Sequence, residues 1–153
     1  MEVIMLEVFS MTPGHKYWEE TILFAEACSW KAGKFLAELM KQHKFNTWER
    51  VFIAYKEGNI AGFCTLAEKD ELPQTYDFTP FIGFVFVDEK YRGNRISEVL
   101  IQNAIEYAKN LGFKEIYIMS GEKGLYEKYG FVKIGDYKTI YGTIDALFTK
   151  TIE

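Results

Sequence analysis

The sequence predicts an α/β domain in which a mixed sheet carries helices on both faces. Apolar runs of strand length alternate along the chain with segments whose apolar residues recur at helical spacing, in the order β-α-α-β-β-β-α-β-α-β-β. The length of 153 residues and the hydrophobic fraction of 48% suit one domain with a full core. No internal repeat or low-complexity tract divides the chain, so we expect a single domain over residues 1–153.

The first half of the chain predicts two helices between its strands. Strands are predicted at Glu2–Phe9, Arg50–Tyr55 and Ile60–Leu66, and helices at His15–Ala27 and Lys31–Gln42. The buried face of the second helix is predicted from four apolar residues at helical spacing, Phe35, Leu36, Leu39 and Met40. The connection Lys56–Asn59 indicates a hairpin, because its Gly and Asn accept positive φ. The polar segment Glu68–Pro80 lacks periodicity and predicts a long loop.

The second half predicts four further strands and two helices. The strands are Phe81–Val87, Glu115–Ser120, Phe131–Tyr137 and Thr143–Thr151, and the helices are Ile96–Lys109 and Leu125–Tyr129. The face of the longer helix that packs on the sheet is predicted from residues that share one side of it, namely Ile96, Val99, Leu100, Asn103, Ala104, Tyr107 and Ala108.

Composition argues against several classes of function. The net charge is −4 and no run of consecutive basic residues occurs, which argues against a nucleic-acid partner. The two cysteines, Cys28 and Cys64, lie far apart, and the two histidines, His15 and His43, have no neighbouring His, so we expect no metal site. No apolar run reaches bilayer length, and Glu2 stands where a signal peptide has basic residues. We therefore expect a cytoplasmic protein with no membrane partner.

The polar turn after the strand Phe81–Val87 is the strongest candidate for a binding site. The turn contains Gly93 between Arg92 and Arg95, and it leads directly into the helix that begins near Ile96. The first N–H groups of a helix have no intrahelical acceptor and attract anions, so this arrangement suits a diphosphate. The turn has neither the Gly-Lys-Ser/Thr of a P-loop nor the three glycines of the dinucleotide fingerprint. The alternative is a simple helix cap with two solvated arginines.

Two motifs together resemble the GNAT superfamily of acyl-CoA-dependent N-acyltransferases. In that family a strand ending in Val is followed by a four-residue spacer and then by Arg/Gln-x-x-Gly-x-Gly/Ala. Here Val87 is followed by Asp88–Tyr91 and then by Arg92-Gly-Asn-Arg-Ile-Ser97. The family also has a Tyr in a short helix closed by Gly-Phe, which matches Leu125-Tyr-Glu-Lys-Tyr-Gly-Phe131. The resemblance covers roughly Arg50 to Gly135.

The resemblance implies a GNAT-like mixed, mostly antiparallel twisted sheet of six or seven strands flanked by about four helices. It also implies acetyl-CoA as cosubstrate and no metal. The residues implied in cofactor binding are Val85, Phe86 and Val87, which pair with the pantetheine arm, and Arg92, Gly93, Asn94, Arg95, Ile96 and Ser97, which hold the pyrophosphate. By the same resemblance Tyr126 is the catalytic acid that protonates the leaving thiolate. A Tyr hydroxyl is neutral at pH 7 and can donate that proton; the alternative for Tyr126 is a packing role.

The chain departs from the family pattern at three positions. Arg95 and Ser97 replace family glycines or alanine, and we expect Arg95 to adopt a helical φ/ψ with its side chain turned outward. Met119 lies near the position where some members place a Glu that acts as the general base. Deprotonation of the amine then falls to water or to another carboxylate, with Glu68, Asp70 and Glu71 as the nearby candidates, and no base is assigned.

The acceptor is expected to be a small-molecule or peptide amine. Aromatic residues in the regions that bind acceptors in the family are Trp18, Trp30, Phe35, Trp48, Tyr76, Phe78 and Tyr137, and with the acidic loop they favour a cationic acceptor. The predicted function is N-acetyl transfer from acetyl-CoA to a primary amine by direct attack. A non-catalytic CoA-binding sensor of the same fold is the alternative, and a domain for another phosphate ligand such as a nucleotide is a weaker one. A homodimer is possible through pairing of the strand Thr143–Thr151 with a neighbour.

Overall fold

The computed structural model describes residues 6–153. Its strands are β1 (Leu6–Met11), β2 (Arg50–Lys56), β3 (Asn59–Ala67), β4 (Phe81–Val87), β5 (Glu115–Ser120), β6 (Val132–Lys138) and β7 (Ile144–Thr151). Its helices are α1 (Trp18–Ala27), α2 (Ala32–Lys41), α3 (Ile96–Asn110) and α4 (Leu125–Lys128), with a single 3₁₀ turn at Glu89–Tyr91. The predicted element order is confirmed. The part of the first predicted strand at Glu2–Met5 lies outside the described residues.

The strands form one mixed sheet with the order β1-β2-β3-β4-β5-β7-β6, and most of its pairs are antiparallel. β1 and β2 are antiparallel, with Leu6 opposite Lys56 and Met11 opposite Val51. β4 and β5 are parallel, with Phe81 opposite Tyr117. This confirms the predicted α/β class and the mostly antiparallel seven-stranded sheet.

The chain divides into two compact units. The first unit comprises the chain up to Thr65 together with Phe84–Asn103, and the second comprises Leu66–Gly83 together with Ala104–Glu153. In the first unit α1 and α2 pack on apolar strand residues, and the buried set includes Trp18, Leu36, Met40, Ile53, Phe63 and Phe86. In the second unit a smaller core contains Leu72, Phe81, Tyr117, Met119 and Leu147.

The buried face of α2 differs from the predicted stripe. Gly33, Leu36, Ala37 and Met40 are buried, whereas Phe35 is 62% exposed. Gly33 is needed on this face because a Cβ there would lie 2.4 Å from the carbonyl oxygen of Ala25 in α1. Close approach of the two helices therefore turns Phe35 outward, and the prediction for Phe35 is wrong.

The buried face of α3 is also rotated from the predicted one. Its buried residues are Ile96, Leu100, Ile101, Ala104, Ile105 and Ala108. Asn103, which the prediction placed on this face, is exposed and its side-chain amide donates to the backbone oxygen of Val99. These six residues lie at i, i+4, i+5, i+8, i+9 and i+12, and all of them are apolar, whereas the predicted set included a polar side chain.

The position of β7 corrects the predicted dimer contact. β7 lies between β5 and β6 and pairs with both, for example Leu147 with Met119 and with Gly135. Its backbone is therefore used within the sheet, and β6 is the edge strand on this side. Within residues 6–153, no helix has both the length and the apolar character needed to cross a membrane.

Candidate functional site

The turn between β4 and α3 is held by side chains of its own residues. Asp88 accepts a hydrogen bond from the backbone N–H of Lys90 at 3.2 Å and so begins the 3₁₀ turn. The Nε of Arg92 donates to the backbone oxygen of Val87 at 3.0 Å, and its guanidinium lies 5.8 Å from the centre of the Phe86 ring. These contacts fix the end of β4 relative to the turn.

Gly93 and Arg95 both have left-handed backbone conformations. Gly93 has φ +87° and Arg95 has φ +59°. A Cβ at Gly93 would meet nothing within 4 Å, so this surface of the turn is open. The expected helical φ/ψ at Arg95 is wrong, although its side chain does turn outward and is 84% exposed. A glycine accepts this conformation without strain, whereas Arg95 holds it at a cost of about 1–2 kcal/mol.

The turn presents positive charge at the start of α3. Arg95 precedes the helix, and its backbone oxygen accepts the first helical hydrogen bond, from Val99 N–H at 3.1 Å. Residues Arg92 to Arg95 are all exposed, and Lys90 adds a third cation nearby in sequence. Glu98 lies 4.0 Å from Arg95 and offsets part of this charge. Because helix amides and guanidinium groups both favour anions, the turn suits a phosphate or diphosphate.

The middle of β4 departs from regular strand geometry. Phe84 has φ +49°, which is unusual for an aromatic residue. Farther along the strand, the Phe86 carbonyl oxygen would lie 2.5 Å from a Cβ at Gly62 of β3, and Val87 Cα would lie 3.2 Å from it. Gly62 therefore makes room for the backbone of Val85 to Val87 in this distorted form. The predicted site residues of β4 and of the turn all belong to the first unit.

Tyr126 belongs to the second unit and is packed among other rings. It is 5% exposed, and its ring centre lies 5.7 Å from Phe148 and 6.2 Å from Phe131. Its backbone oxygen accepts hydrogen bonds from the N–H groups of Tyr129 and Phe131, which end the short helix α4. Gly124, in a left-handed conformation, is the N-cap of the same helix. Both the packing role and a reactive position for the hydroxyl are compatible with this burial.

The second unit gathers three carboxyl groups. Asp70 and Glu71 lie in the loop before β4, and Asp145 lies in β7. Burial, followed by the charges of Glu71 and Asp145, raises the pKa of Asp70 from 3.8 to about 7. Burial and Asp145 also raise the pKa of Glu71. Within residues 6–153, no ion pair joins these three groups to a Lys or Arg.

The loop that carries these acids is fastened at several points. Lys69 Nζ donates to the backbone oxygens of Tyr76 at 2.7 Å and Phe78 at 3.4 Å. The backbone N–H of Ile140, between β6 and β7, donates to the oxygen of Glu71 at 2.7 Å. The charge of Lys69 is thus directed at loop carbonyls and not at the carboxyl groups of Asp70 and Glu71.

Aromatic rings cluster beside the same loop. Tyr76 and Phe78 are stacked with ring centres 5.9 Å apart, and Tyr137 meets them edge-on at 5.3 Å and 5.7 Å. Tyr117 joins the group 5.1 Å from Phe78. Of the seven aromatic residues expected near the acceptor, Tyr76, Phe78 and Tyr137 therefore lie together in the second unit.

The other predicted acceptor residues lie in the first unit. Trp18 is buried in its core, and Trp30 stacks on Phe86 with ring centres 5.9 Å apart and an interplanar angle of 4°. Phe35 points outward on α2, and Trp48 lies in the loop before β2. For Trp18 and Trp30 the core is the better interpretation.

Sequence reasoning missed several residues of these two sites. Asp145 could have been noticed as a lone acid within an apolar strand, and Gly62 as a glycine inside a strand pattern, which signals close backbone approach. Tyr117 and Phe84 carried no such signal. Among the candidate bases, Asp70 has a strongly raised pKa. Met119 is buried in the core of the second unit and has no ionisable group. The part of the chain that the structure describes contains no cluster of three His, Cys, Asp or Glu side chains suited to a metal ion.

Several solved structures of acetyltransferases have a similar fold. An aminoglycoside 6′-acetyltransferase type Ii has a TM-score of 0.75 and 18% identity, over 96% of this chain and 97% of that one. A GNAT acetyltransferase of Streptococcus pneumoniae has a TM-score of 0.70 and 17% identity, over 97% and 100%. One from Elizabethkingia anophelis, solved with acetyl-CoA bound, has a TM-score of 0.65 and 22% identity, over 95% and 97%.

At these identities the solved structures establish the fold, and a family model extends the comparison to the sequence. No curated protein matches this chain in sequence. The model of the acetyltransferase (GNAT) family matches residues 15–131, from before α1 to the Phe that closes the α4 motif. That range includes both sequence motifs and the whole turn between β4 and α3. The match covers well over half of the chain and shows that it belongs to the acetyltransferase (GNAT) family.

Proposed function

We propose that this chain transfers an acetyl group from acetyl-CoA to a primary amine of a small molecule or peptide by direct attack. The observation that carries the proposal is the turn from β4 into α3, with Gly93 open to solvent between two arginines at a helix start. A diphosphate is the ligand that this arrangement suits best. In this proposal Gly93 to Ser97 hold the pyrophosphate of CoA, with Arg92 as its flanking cation.

The pantetheine arm is proposed to pair with the backbone of Val85, Phe86 and Val87. The left-handed Phe84 interrupts regular strand geometry just before this segment, and Gly62 accommodates its path. Pairing of an extended ligand with strand backbone supplies orientation without side-chain specificity. Val87 keeps its oxygen engaged by Arg92, so the arm would use the backbone of Val85 and Phe86 more fully.

Tyr126 is proposed as the acid for the departing thiolate. Aminolysis of a thioester needs alignment of the two reactants and a proton for the sulfur, and a neutral Tyr can supply that proton. The rings of Phe131 and Phe148 hold Tyr126 in one orientation, as a positioned donor requires. The proposal places no other group in this role.

The acceptor is proposed to be a cation with a primary amine. The second unit offers three carboxyl groups, those of Asp70, Glu71 and Asp145, and none of them forms an ion pair with a Lys or Arg of residues 6–153. The rings of Tyr76, Phe78 and Tyr137 lie beside the same loop. Carboxylates attract an ammonium group, and aromatic faces add cation–π attraction. The similar solved structures include two aminoglycoside acetyltransferases, and multiply charged amines of that kind are the first compounds to test.

The cofactor is tested by thermal unfolding of the pure protein with acetyl-CoA, CoA or ATP. A ligand at a hundred times its Kd adds about 2.7 kcal/mol, which raises the Tm by about 5–10 °C in a domain of this size. We expect acetyl-CoA and CoA to give this rise and ATP to give none. Equal shifts with ATP would favour a nucleotide site, and no shift with any ligand would contradict the proposal.

The absence of a carboxyl group at Met119 favours a second candidate, a CoA-binding sensor that performs no chemistry. The two candidates differ in turnover. The enzyme and the sensor are distinguished by an activity screen. Polyamines, aminoglycosides and peptides with a free amino terminus are each incubated with acetyl-CoA, and the free thiol of released CoA is detected. Release of CoA that depends on the amine supports the enzyme. Tight CoA binding with no thiol release above the uncatalysed rate across the screen supports the sensor.

A further inference from the structure

Five aromatic rings form one cluster in the first unit. They come from α1, the connection between α1 and α2, β3 and β4, and they are Phe24, Trp30, Phe63, Phe84 and Phe86. Neighbouring rings of this set have centres 5.3 Å to 6.4 Å apart. Rings at such separations are in contact, so an alkyl chain can enter between two of them only by pushing them apart.

Trp30 and Phe84 form the outer surface of this cluster at β4. The indole of Trp30 lies parallel to the ring of Phe86, at an interplanar angle of 4°, and meets the ring of Phe84 edge-on with centres 6.3 Å apart. Phe86 is buried, whereas Trp30 and Phe84 are only partly buried. A molecule that lies against this part of β4 therefore meets the rings of Trp30 and Phe84 first.

The backbone around Trp30 holds its ring in place. Its carbonyl oxygen accepts a hydrogen bond from the N–H of Gly33 at 3.0 Å and one from the thiol of Cys28 at 3.4 Å. Gly33 lies so close to α1 that a Cβ there would collide with the carbonyl oxygen of Ala25. Displacement of Trp30 would disturb these contacts, so the connection between α1 and α2 resists it.

The proposed function brings the acyl end of the cosubstrate to the same surface. With the pyrophosphate at Gly93 to Ser97 and the arm along Val85 to Val87, the arm runs from the turn toward the start of β4. The next residue in that direction is Phe84, which at the spacing of strand residues is about 10 Å from Val87. The thioester and its acyl group would therefore lie beside the rings of Phe84 and Trp30.

We propose that Trp30 and Phe84 limit the length of the acyl group, so that acetyl is accepted and longer straight chains such as butyryl and hexanoyl are rejected. This inference rests on the proposed function and gives these two residues a role in the choice of acyl donor. An acetyl group lies against the outside of the rings, whereas a longer chain must displace Trp30 from Phe86. The energetic cost of that displacement falls on the long acyl donors alone.

Calorimetric titration with CoA, acetyl-CoA, butyryl-CoA and hexanoyl-CoA tests the inference without any acceptor. For the wild type we expect similar Kd values for CoA and acetyl-CoA, and a Kd about tenfold higher or more for hexanoyl-CoA. Trp30→Leu keeps apolar cover on Phe86 but leaves room for a chain. In this variant the Kd for hexanoyl-CoA should fall to within about threefold of the Kd for acetyl-CoA.

Phe84→Gly is a second variant that removes the other ring. Phe84 has φ +49°, a conformation that glycine adopts without strain, so the backbone of β4 can keep its path. This variant should also bind hexanoyl-CoA more tightly than the wild type does. Leu23→Ala is the control, because it shortens an apolar side chain that is 66% exposed on α1, and it should keep the wild-type preference. Circular dichroism checks that each variant is folded.

The possible failures of the two proposals are distinguishable. Equal Kd values for acetyl-CoA and hexanoyl-CoA in the wild type would overturn this inference and leave the proposed cofactor in place. The wild-type preference retained in both Trp30→Leu and Phe84→Gly would do the same. A wild type that does not bind CoA itself would overturn the proposed function, and this inference with it.

Discussion

At the scale of single residues, Arg95 occupies a position that favours glycine. Its φ of +59° is left-handed, and the side chain makes one long ion pair, to Glu98 at 4.0 Å. The backbone of the turn thus keeps the shape that a glycine would allow, while the chain places a guanidinium on the outside of the proposed phosphate site. Arg95 therefore lowers the stability of the fold through its backbone conformation, while its positive charge favours binding of the phosphate.

The substitution Arg95→Gly should raise stability and weaken CoA binding. Relief of the left-handed strain contributes about 1–2 kcal/mol, of which the entropy of Gly in the unfolded chain removes about half. The expected Tm rise is therefore about 2–4 °C. Loss of a charge-assisted contact to phosphate should raise the Kd for CoA about tenfold. Differential scanning calorimetry and isothermal titration calorimetry measure the two effects.

Arg95→Ala provides the matched control. Alanine removes the same charge but still resists a positive φ, so it should weaken CoA binding as Gly does without raising the Tm. Equal Tm values for the Gly and Ala variants would contradict the strain argument. An unchanged Kd in both would place the phosphate away from Arg95.

Tyr126→Phe tests the proposed acid. Removal of the hydroxyl should lower kcat by about 10²–10⁴-fold and leave the Kd for CoA unchanged, because the ring still packs against Phe131 and Phe148. Steady-state kinetics with the best amine from the screen measures kcat, and calorimetry measures the Kd. Tyr129→Phe is the control, since it lies one turn away with its ring 6.4 Å from that of Tyr126. Full turnover in Tyr126→Phe would leave that residue a packing role.

Asp70 should make stability depend on pH. Its folded pKa of about 7 lies above the unfolded value, so the protonated carboxyl favours the folded state. Stability is therefore highest below about pH 4, falls as pH rises toward about 7, and is level above that. The raised pKa of Glu71 acts in the same direction, and Asp145 is the charge that both groups face.

The variant Asp70→Asn has no charge to bury and should lose most of this fall. Urea unfolding at about pH 5 and about pH 8 measures the free energy of unfolding. It should be lower at the higher pH for wild type and nearly equal at the two pH values for the variant. Asp77→Asn makes the same chemical change at an exposed position of the same loop, and it should behave as wild type. An equal change in the free energy of unfolding between the two pH values for wild type and Asp70→Asn would show that this carboxyl is not held in its neutral form.

At the scale of elements, β3 and β4 approach each other more closely than side chains usually allow. Gly62 of β3 faces the carbonyl oxygen of Phe86, and any Cβ there would lie 2.5 Å from it. The left-handed Phe84 precedes this contact in β4. The shape of the strand segment proposed to bind pantetheine thus depends on a glycine in its neighbour.

Gly62→Ala should destabilise the fold by about 1–3 kcal/mol, as overpacking against backbone does. Because the Phe86 carbonyl must move, the Kd for CoA should also rise. Chemical unfolding and calorimetry measure the two quantities. Gly121→Ala is the control, since its Cβ would meet only the Asp145 carboxylate at 3.6 Å, an ordinary contact. A Gly62→Ala protein as stable as wild type would mean that β4 shifts freely.

Elements themselves were largely predictable, whereas their buried faces were less so. The bounds of β4 and β5 are as predicted, because each is a short apolar run ended by polar residues. The faces of α2 and α3 were placed partly wrongly. Phe35 and Asn103 fit a helical stripe by spacing, but packing against neighbouring elements selects among overlapping stripes.

At the scale of the whole molecule, strand order decides which backbone is available for association. The sequence showed two final strands that form a pair, and nothing in it distinguished which of them ends the sheet. β5 pairs with β7, the last strand, so β6 is left at the edge.

The sequence by itself determined the α/β class, the order of the elements and the basic turn before α3, because each depends on residues that are neighbours along the chain. Tertiary structure decided the left-handed Arg95, the close contact at Gly62 and the convergence of Asp70 with Asp145. The same holds for the free edge of β6. These features depend on packing between residues that are distant in sequence, and local sequence patterns do not predict such packing.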